Sequence, residues 1–145
     1  MDQPLYLRDH LCFSLYVCSR AISRMYRPLL NKLGITYPQY LVLLVLWEQK
    51  EQNVKELGEA LDLDSGTLTP LLKRMEVSGL LKRHRSEQDE RMVTLSLTEQ
   101  GEALRAEASC IPQALLNESG LSVNEIQELN LKIKSLTAAI KNSGI

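Results

Sequence analysis

The chain is poor in the residues that build metal sites, disulfide frameworks and redox cofactor pockets. It has 3 cysteines, 2 histidines, 1 tryptophan and 1 phenylalanine in 145 residues. The cysteines show no CxxC spacing, which excludes a disulfide framework and a zinc cluster. Two isolated histidines do not make a metal site, and no metal or cofactor is expected. The longest apolar run, Tyr40 to Trp47, is long enough for a buried helix and too short to span a bilayer. No internal repeat or low-complexity tract is present. There is no P-loop, dinucleotide fingerprint or hydrolase triad signature, so the chain is not expected to be an enzyme. Leu5 and Leu7 are followed at once by Arg8, Asp9 and His10, which does not read as a secretory signal. The expectation is a cytoplasmic protein with reduced thiols and no membrane association.

What is present fits one domain, or one domain with a dimerisation extension. A hydrophobic content of 44% can supply a core. The net charge of −1 hides an uneven distribution. Lys82-Arg83-His84-Arg85 is a basic cluster. From Glu99 to Glu128, Arg105 is the lone base among six acids. A local basic patch on a near-neutral chain is compatible with a nucleic-acid groove reader.

Apolar periodicity orders the chain. Leu11, Leu15, Cys18, Ile22, Met25, Leu29 and Leu33 recur at three- and four-residue steps, the stripe of a long first helix that Gly34 ends. Its start is open: Pro4 can be a first-turn proline, or Asp9 the N-cap. Thr36-Tyr37-Pro38-Gln39, Asn53-Val54-Lys55-Glu56 and Ser122-Val123-Asn124-Glu125 each have capping-box spacing. Asp62 to Gly66 reads as a turn, then Leu68, Leu71, Leu72 and Met75 share one helical face. Pro70 belongs in a first turn, so regular helix is expected from about Thr67, with Ser65 and Gly66 irregular. Leu80–Arg85 and Arg91–Leu97 flank a polar loop. Val93, Leu95 and Leu97 alternate with polar residues as in a half-buried strand. Thr98 can cap a fifth helix that Pro112 interrupts or bends. Ile126, Leu129, Ile133, Leu136 and Ile140 form a last stripe.

The predicted fold is mainly α with a small β wing: a winged helix-turn-helix over 36–98. Helices in 1–35 and 99–145 form a dimerisation domain. The first and last helices cannot both hide their stripes on so small a centre, so burial against each other and a second copy is expected. A two-fold dimer presents two recognition helices to successive major grooves.

Ser65, Thr67 and Thr69 offer short hydroxyls near a helix start, suited to phosphate and base edges. Lys73 and Arg74 suit phosphates. Alone, this is an ordinary solvated helix face. The hairpin shifts the balance. Arg83 and Arg85 lead into it, and Asp89, two residues before Arg91, is placed to orient that guanidinium for minor-groove insertion. The plain alternative is a surface ion pair of little worth.

Cys12 stands near the start of the first helix. If Asp9 is the N-cap, Cys12 is in the first turn, where the helix dipole favours a thiolate. A free cysteine most often just fills space. Tyr16, one turn away on the same face, argues otherwise, because a phenol donating to sulfur stabilises the thiolate. Tyr26 shares nearly the same azimuth but lies roughly 21 Å along the helix. It can reach Cys12 only from a second chain in an antiparallel dimer. Tyr37 is another candidate. The plain reading of the tyrosines is core packing. Cys18 lies about 9 Å from Cys12 on a different face, which excludes a bridge between them within one helix. Its position on the stripe predicts a buried, inert thiol. Cys110 precedes Ile111-Pro112, where the helix is expected to be disturbed.

Leu11-Cys12-Phe13, Thr36-Tyr37-Pro38-Gln39-Tyr40, the block Leu63 to Arg74, and Asp89-Glu90-Arg91 followed by Leu97-Thr98 resemble the MarR family of winged-helix regulators. Within it they are similar to the organic hydroperoxide resistance (OhrR) branch. The resemblance covers about Leu11 to Gly101 closely. It implies a homodimeric repressor that binds a double-stranded DNA operator and responds to an organic hydroperoxide. It further implies that Cys12 is the sensing cysteine. Tyr16, Tyr26 and Tyr37 would surround it, the last two from the partner subunit, and Arg91 would be the wing arginine. Two-cysteine members carry a resolving cysteine that falls near Asn117 here, not at Cys110. Cys110 resolves only if a partner chain or a rearranged helix near Pro112 brings it close. The other route is a low-molecular-weight thiol, or overoxidation. Three alternatives stand beside this one: a family member sensing a phenolic or drug-like ligand, a thiol peroxidase using Cys12, and a protein-binding winged helix. The peroxidase would leave the recognition helix and wing unexplained.

Overall fold

The structure is a computed structural model that describes residues 6–89 and 91–144. The chain divides into two compact units, Met1–Ser109 and Cys110–Ile145. The first holds α1 (Leu11–Leu33), α2 (Tyr37–Gln49), β1 (Glu51–Asn53), α3 (Val54–Leu61), α4 (Ser65–Val77), β2 (Leu81–Arg85), β3 (Val93–Leu97) and α5 (Glu99–Glu107). The second holds α6 (Ile111–Ser119) and α7 (Val123–Asn142). Short 3-10 turns cover Leu7–Asp9 and Ala108–Cys110.

The core grows from α2. It is apolar nearly all round, and buries Tyr40, Val42, Leu43, Leu46 and Trp47. All three expected capping boxes form, at Thr36/Gln39, Asn53/Glu56 and Ser122/Glu125. Each satisfies two backbone donors that would otherwise be orphaned at a helix start. Leu57 from α3, Leu68, Leu71, Leu72 and Met75 from α4, Leu81 from β2 and Leu95 from β3 are buried with α2.

The helix-turn-helix depends on a close approach. Leu63 N–H donates to Gly58 O at 2.9 Å, and Asp62 takes the left-handed conformation with φ 55°. A Cβ on Gly58 would lie 2.9 Å from Leu63 O, so only glycine lets α3 turn this tightly into α4.

β3 is central in an antiparallel sheet of order β1-β3-β2. Arg83 lies opposite Leu95, and Gln52 opposite Leu95 on the other edge. Leu95 is fully buried, but Val93, Thr94, Ser96 and Leu97 are all half-buried, so the expected alternation is not seen: β3 is the central strand and its polar side chains are partly covered too. The strand β1 was not anticipated. Its three residues, Glu51, Gln52 and Asn53, are polar and become a strand only because β3 offers a free edge.

Three local expectations are corrected. The N-cap of α1 is His10, not Asp9, which sits in the preceding 3-10 turn; Pro4, the other candidate start, lies outside the described residues. Cys12 is still in the first turn. The helix α4 is regular from Ser65, not from Thr67. The Asp64 carboxylate accepts the Thr67 N–H at 3.0 Å and so caps the helix two residues earlier. Pro70 thus stands one turn inside, where it forfeits one bond to the exposed Gly66 carbonyl. Cys18 is exposed, not buried, because α1 buries only Tyr26 and Leu30, both in its second half. The fifth helix is interrupted near Pro112 as expected: α5 ends at Glu107, and Pro112 sits in the first turn of α6.

The base of the wing closes on α5 at Gly101. Thr98 Oγ1 donates to Gly79 O at 2.6 Å and accepts the Gly101 N–H at 3.1 Å. Trp47 Nε1 donates to Gly101 O at 3.0 Å. A Cβ on Gly101 would collide with Leu80 O. Gly101→Ala is therefore expected to destabilise the fold by about 1–3 kcal/mol, the usual cost of forced overpacking. Chemical denaturation followed by tryptophan fluorescence will measure it; unaltered stability would show that the junction is loose.

Candidate functional site

The capped start of α4 and the wing form two arms of one surface. Ser65, Thr67 and Thr69 are exposed on the first turns of α4, and Lys73 and Arg74 are exposed further along. The buried face, Leu68, Leu71, Leu72 and Met75, fixes which side of the helix turns outward. A groove of about 1560 Å³ brings Ser65, Thr67 and Thr69 together with Arg83 and Arg91. Lys55, from the start of α3, also lines it. The sequence reading missed Lys55, because it lies inside a capping box and outside any basic cluster.

The wing loop is built by its own backbone. Ser86 N–H donates to Met92 O at 2.9 Å, and Met92 N–H to Asp89 O at 3.0 Å. The Asp89 carboxylate accepts the Arg91 N–H at 3.0 Å. Asp89 was expected to orient the Arg91 guanidinium; the contact seen is to the main chain of Arg91, so Asp89 shapes the turn that carries it. Glu90 lies outside the described residues. Arg85 and His84 are exposed at the end of β2.

Arg83, expected to meet phosphates, lines the groove and is also paired with an acid. Its guanidinium donates to both carboxylate oxygens of Glu76, Nε to Oε2 at 3.3 Å and the terminal nitrogen to Oε1 at 3.2 Å. Glu76 was not singled out in the sequence. Nothing local pairs a residue near the end of α4 with one in β2; only the fold does.

Two carboxyls here are held below their ordinary values. Hydrogen bonds from Thr67 lower Asp64 from 3.8, and hydrogen bonds from Arg83 lower Glu76 from 4.5. A lowered carboxyl contributes stability fully above its unfolded value and loses it as pH falls through the lowered one. Near neutral pH both contributions are complete.

At the other end of the unit, Cys12 is exposed in the first turn of α1. Tyr16 is 60% exposed, and its ring faces the Arg20 guanidinium at 5.2 Å. Tyr26 and Tyr37 stack at 5.8 Å with planes 9° apart, and Tyr40 and Trp47 extend the aromatic series inward. Burial pushes the Tyr26 phenol up, and Tyr37 adds to it. Within the chain, then, Tyr26 and Tyr37 are brought together, and Cys12 with Tyr16 stands apart from them. Cys110 is also exposed.

Among the described residues no single helix is long and apolar enough to cross a membrane. A family model for the transcriptional regulators SarA/Rot matches residues 24–107. The organic hydroperoxide resistance transcriptional regulator of Bacillus subtilis is 52% identical over 130 residues, 90% of this chain and 88% of that protein. The regulator MgrA of Staphylococcus aureus is 46% identical, over 86% of this chain and 85% of its own length. Reduced AbfR bound to DNA superposes with a TM-score of 0.78 at 39% identity, covering 94% of this chain and 93% of that one. AbfR has also been solved overoxidised and bound to DNA, with a TM-score of 0.70, and with a disulfide formed, at 0.65. This chain belongs to the MarR-like, SarA/Rot-type winged-helix transcriptional regulators.

The cap on the reading helix gives the first test of this surface. Asp64→Ala should lower stability, because the first turn of α4 loses its N-cap. Urea unfolding at neutral pH checks it, and an undiminished midpoint would mean that the Thr67 N–H finds another acceptor.

Proposed function

We propose that this regulator is a homodimeric repressor that senses organic hydroperoxides through Cys12 and releases its operator when that thiol is oxidised. The observation that carries the reading is the exposed Cys12 in the first turn of α1, in a chain 52% identical to a hydroperoxide-resistance regulator. The apolar residues beside it support a second copy as the missing neighbour. Leu11, Phe13, Tyr16 and Val17 on α1 are exposed, as are Leu129, Ile133, Leu136 and Ile140 on α7. Dimerisation through the helices of 1–35 and 99–145 would cover them, leaving 36–98 to read DNA in the cytoplasm. Tyr26 and Tyr37 of the partner subunit would then complete the surroundings of Cys12 and Tyr16.

On DNA, Ser65, Thr67 and Thr69 meet base edges and phosphates in the major groove. Lys73, Arg74 and Arg85 meet phosphates, and Arg91 enters the minor groove on the turn that Asp89 shapes. On oxidation, the Cys12 thiolate attacks the peroxide and the O–O bond breaks. One oxygen stays as a sulfenic acid and the alcohol leaves. A low-molecular-weight thiol then condenses with the sulfenic acid to a mixed disulfide, releasing water. In AbfR, overoxidation has been seen with DNA still bound. That favours a disulfide adduct over added oxygen as the releasing modification. A bridge to Cys110 across the dimer is the competing route.

Organic hydroperoxide with a small thiol should release the wild-type protein from DNA in a mobility-shift assay, and Cys12→Ser should stay bound. Release of the serine variant at equal doses would sink the sensor assignment. A non-reducing gel separates the routes: the mixed disulfide leaves monomers of increased mass, whereas a Cys110 bridge gives a covalent dimer that Cys110→Ser abolishes. Arg91→Ala should weaken operator binding by about 1–3 kcal/mol; equal affinity in a folded dimer would remove the wing from the interface.

A further inference from the structure

The wing and the reading helix must keep a fixed spacing if both are to enter adjacent grooves. A side-chain pair, Glu76 with Arg83, joins α4 to the edge strand β2. Leu81 is buried at the base of the strand. Arg83 lies on the same face two residues further out, by the alternation of a strand, and its bidentate pair with Glu76 extends the link along the hairpin. Both side chains are only partly exposed, 30% for Arg83 and 38% for Glu76. A fork-to-carboxylate pair fixes direction as well as distance, which a single lysine contact would not. β2 pairs with β3 alone, so its other edge has no neighbouring strand to hold it.

Glu76 is an acid beside a surface that meets a polyanion. Lys73, one turn earlier on α4, also faces it. By charge alone, neutralising Glu76 should tighten DNA binding. We infer that Glu76 is a positioning residue for DNA binding: through Arg83 it holds the wing at the angle to α4 that operator engagement requires. The inference rests on the DNA-binding reading above. It differs from a role for Arg83 as a simple phosphate contact: two of its guanidinium nitrogens bond Glu76, and the tests below separate the two roles.

The sign of one substitution separates the two. Full-length protein is titrated, by fluorescence anisotropy, into a labelled duplex that the wild type selects from a randomised library. Glu76→Gln should lower affinity by about three- to tenfold, the range for one or two surface pairs lost per dimer. Arg83→Gln should do the same, and the double variant should be no worse than either alone. The swapped pair, Glu76→Arg with Arg83→Glu, should regain most of the affinity. The slope of log affinity against log salt should stay at the wild-type value throughout. Equal or tighter binding by Glu76→Gln overturns the inference. So does a slope reduced by about one unit per lost contact in Arg83→Gln, since that is the mark of a phosphate contact. Amide exchange on the DNA-free protein provides an independent arm. Glu76→Gln should speed exchange at Ser86 and Met92 in the wing and leave α2 protected. If the wild type selects no duplex, the DNA reading fails by itself, and unaltered exchange at Ser86 and Met92 then disposes of the positioning role too.

Discussion

Everything in the winged unit is referred to one backbone contact, the approach of α5 to the strand base at Gly101. The residue accepts a hydrogen bond from Trp47, donates one to Thr98, and tolerates no side chain against Leu80. Trp47 belongs to the buried helix α2, and Leu80 joins α4 to β2. Core helix, wing and following helix therefore meet at a single main-chain group. A shift there displaces the hairpin relative to the core, because none of the three partners has slack. The buried indole N–H also needs its acceptor: without Gly101 O it would stand unsatisfied in an apolar setting, at a cost of about 1–3 kcal/mol.

That rigidity is spent at the reading surface. Asp64 closes the first turn of α4 and sets where its hydroxyls begin. Asp89 closes the wing turn through the Arg91 main chain. Both acids accept from backbone donors. Glu76 likewise accepts, from the Arg83 guanidinium. The surface is thus less basic than its cluster of lysines and arginines implies, and more organised.

Local chemistry was legible in the sequence wherever a few neighbouring residues decide the outcome. The three capping boxes, the Thr98 cap and the Gly34 helix end all behave as their spacing predicts. Misreadings arose where distant residues decide. The proline rule argued for a late start to α4, and the Asp64 cap overrode it. The polar β1 has no strand pattern and exists through its pairing with β3. Cys18 was assigned to a core by its periodicity, but the first half of α1 buries nothing within one chain. In the candidate site, the exposed hydroxyls and Arg91 were found from type and order. Glu76 was not, since its significance comes from Arg83 arriving beside it only after the hairpin folds back.

The uncovered apolar faces of α1 and α7 carry a thermodynamic consequence. Each long helix has an amphipathic stripe that a lone chain leaves wet, with Leu11 at 59% and Ile140 at 57% exposed. A self-association that buries such faces is linked by mass action to folding itself. The midpoint of thermal unfolding then rises with protein concentration, and dilution alone weakens the fold. At low concentration, the extent of such association rather than the packing of one chain would set how much folded protein is present.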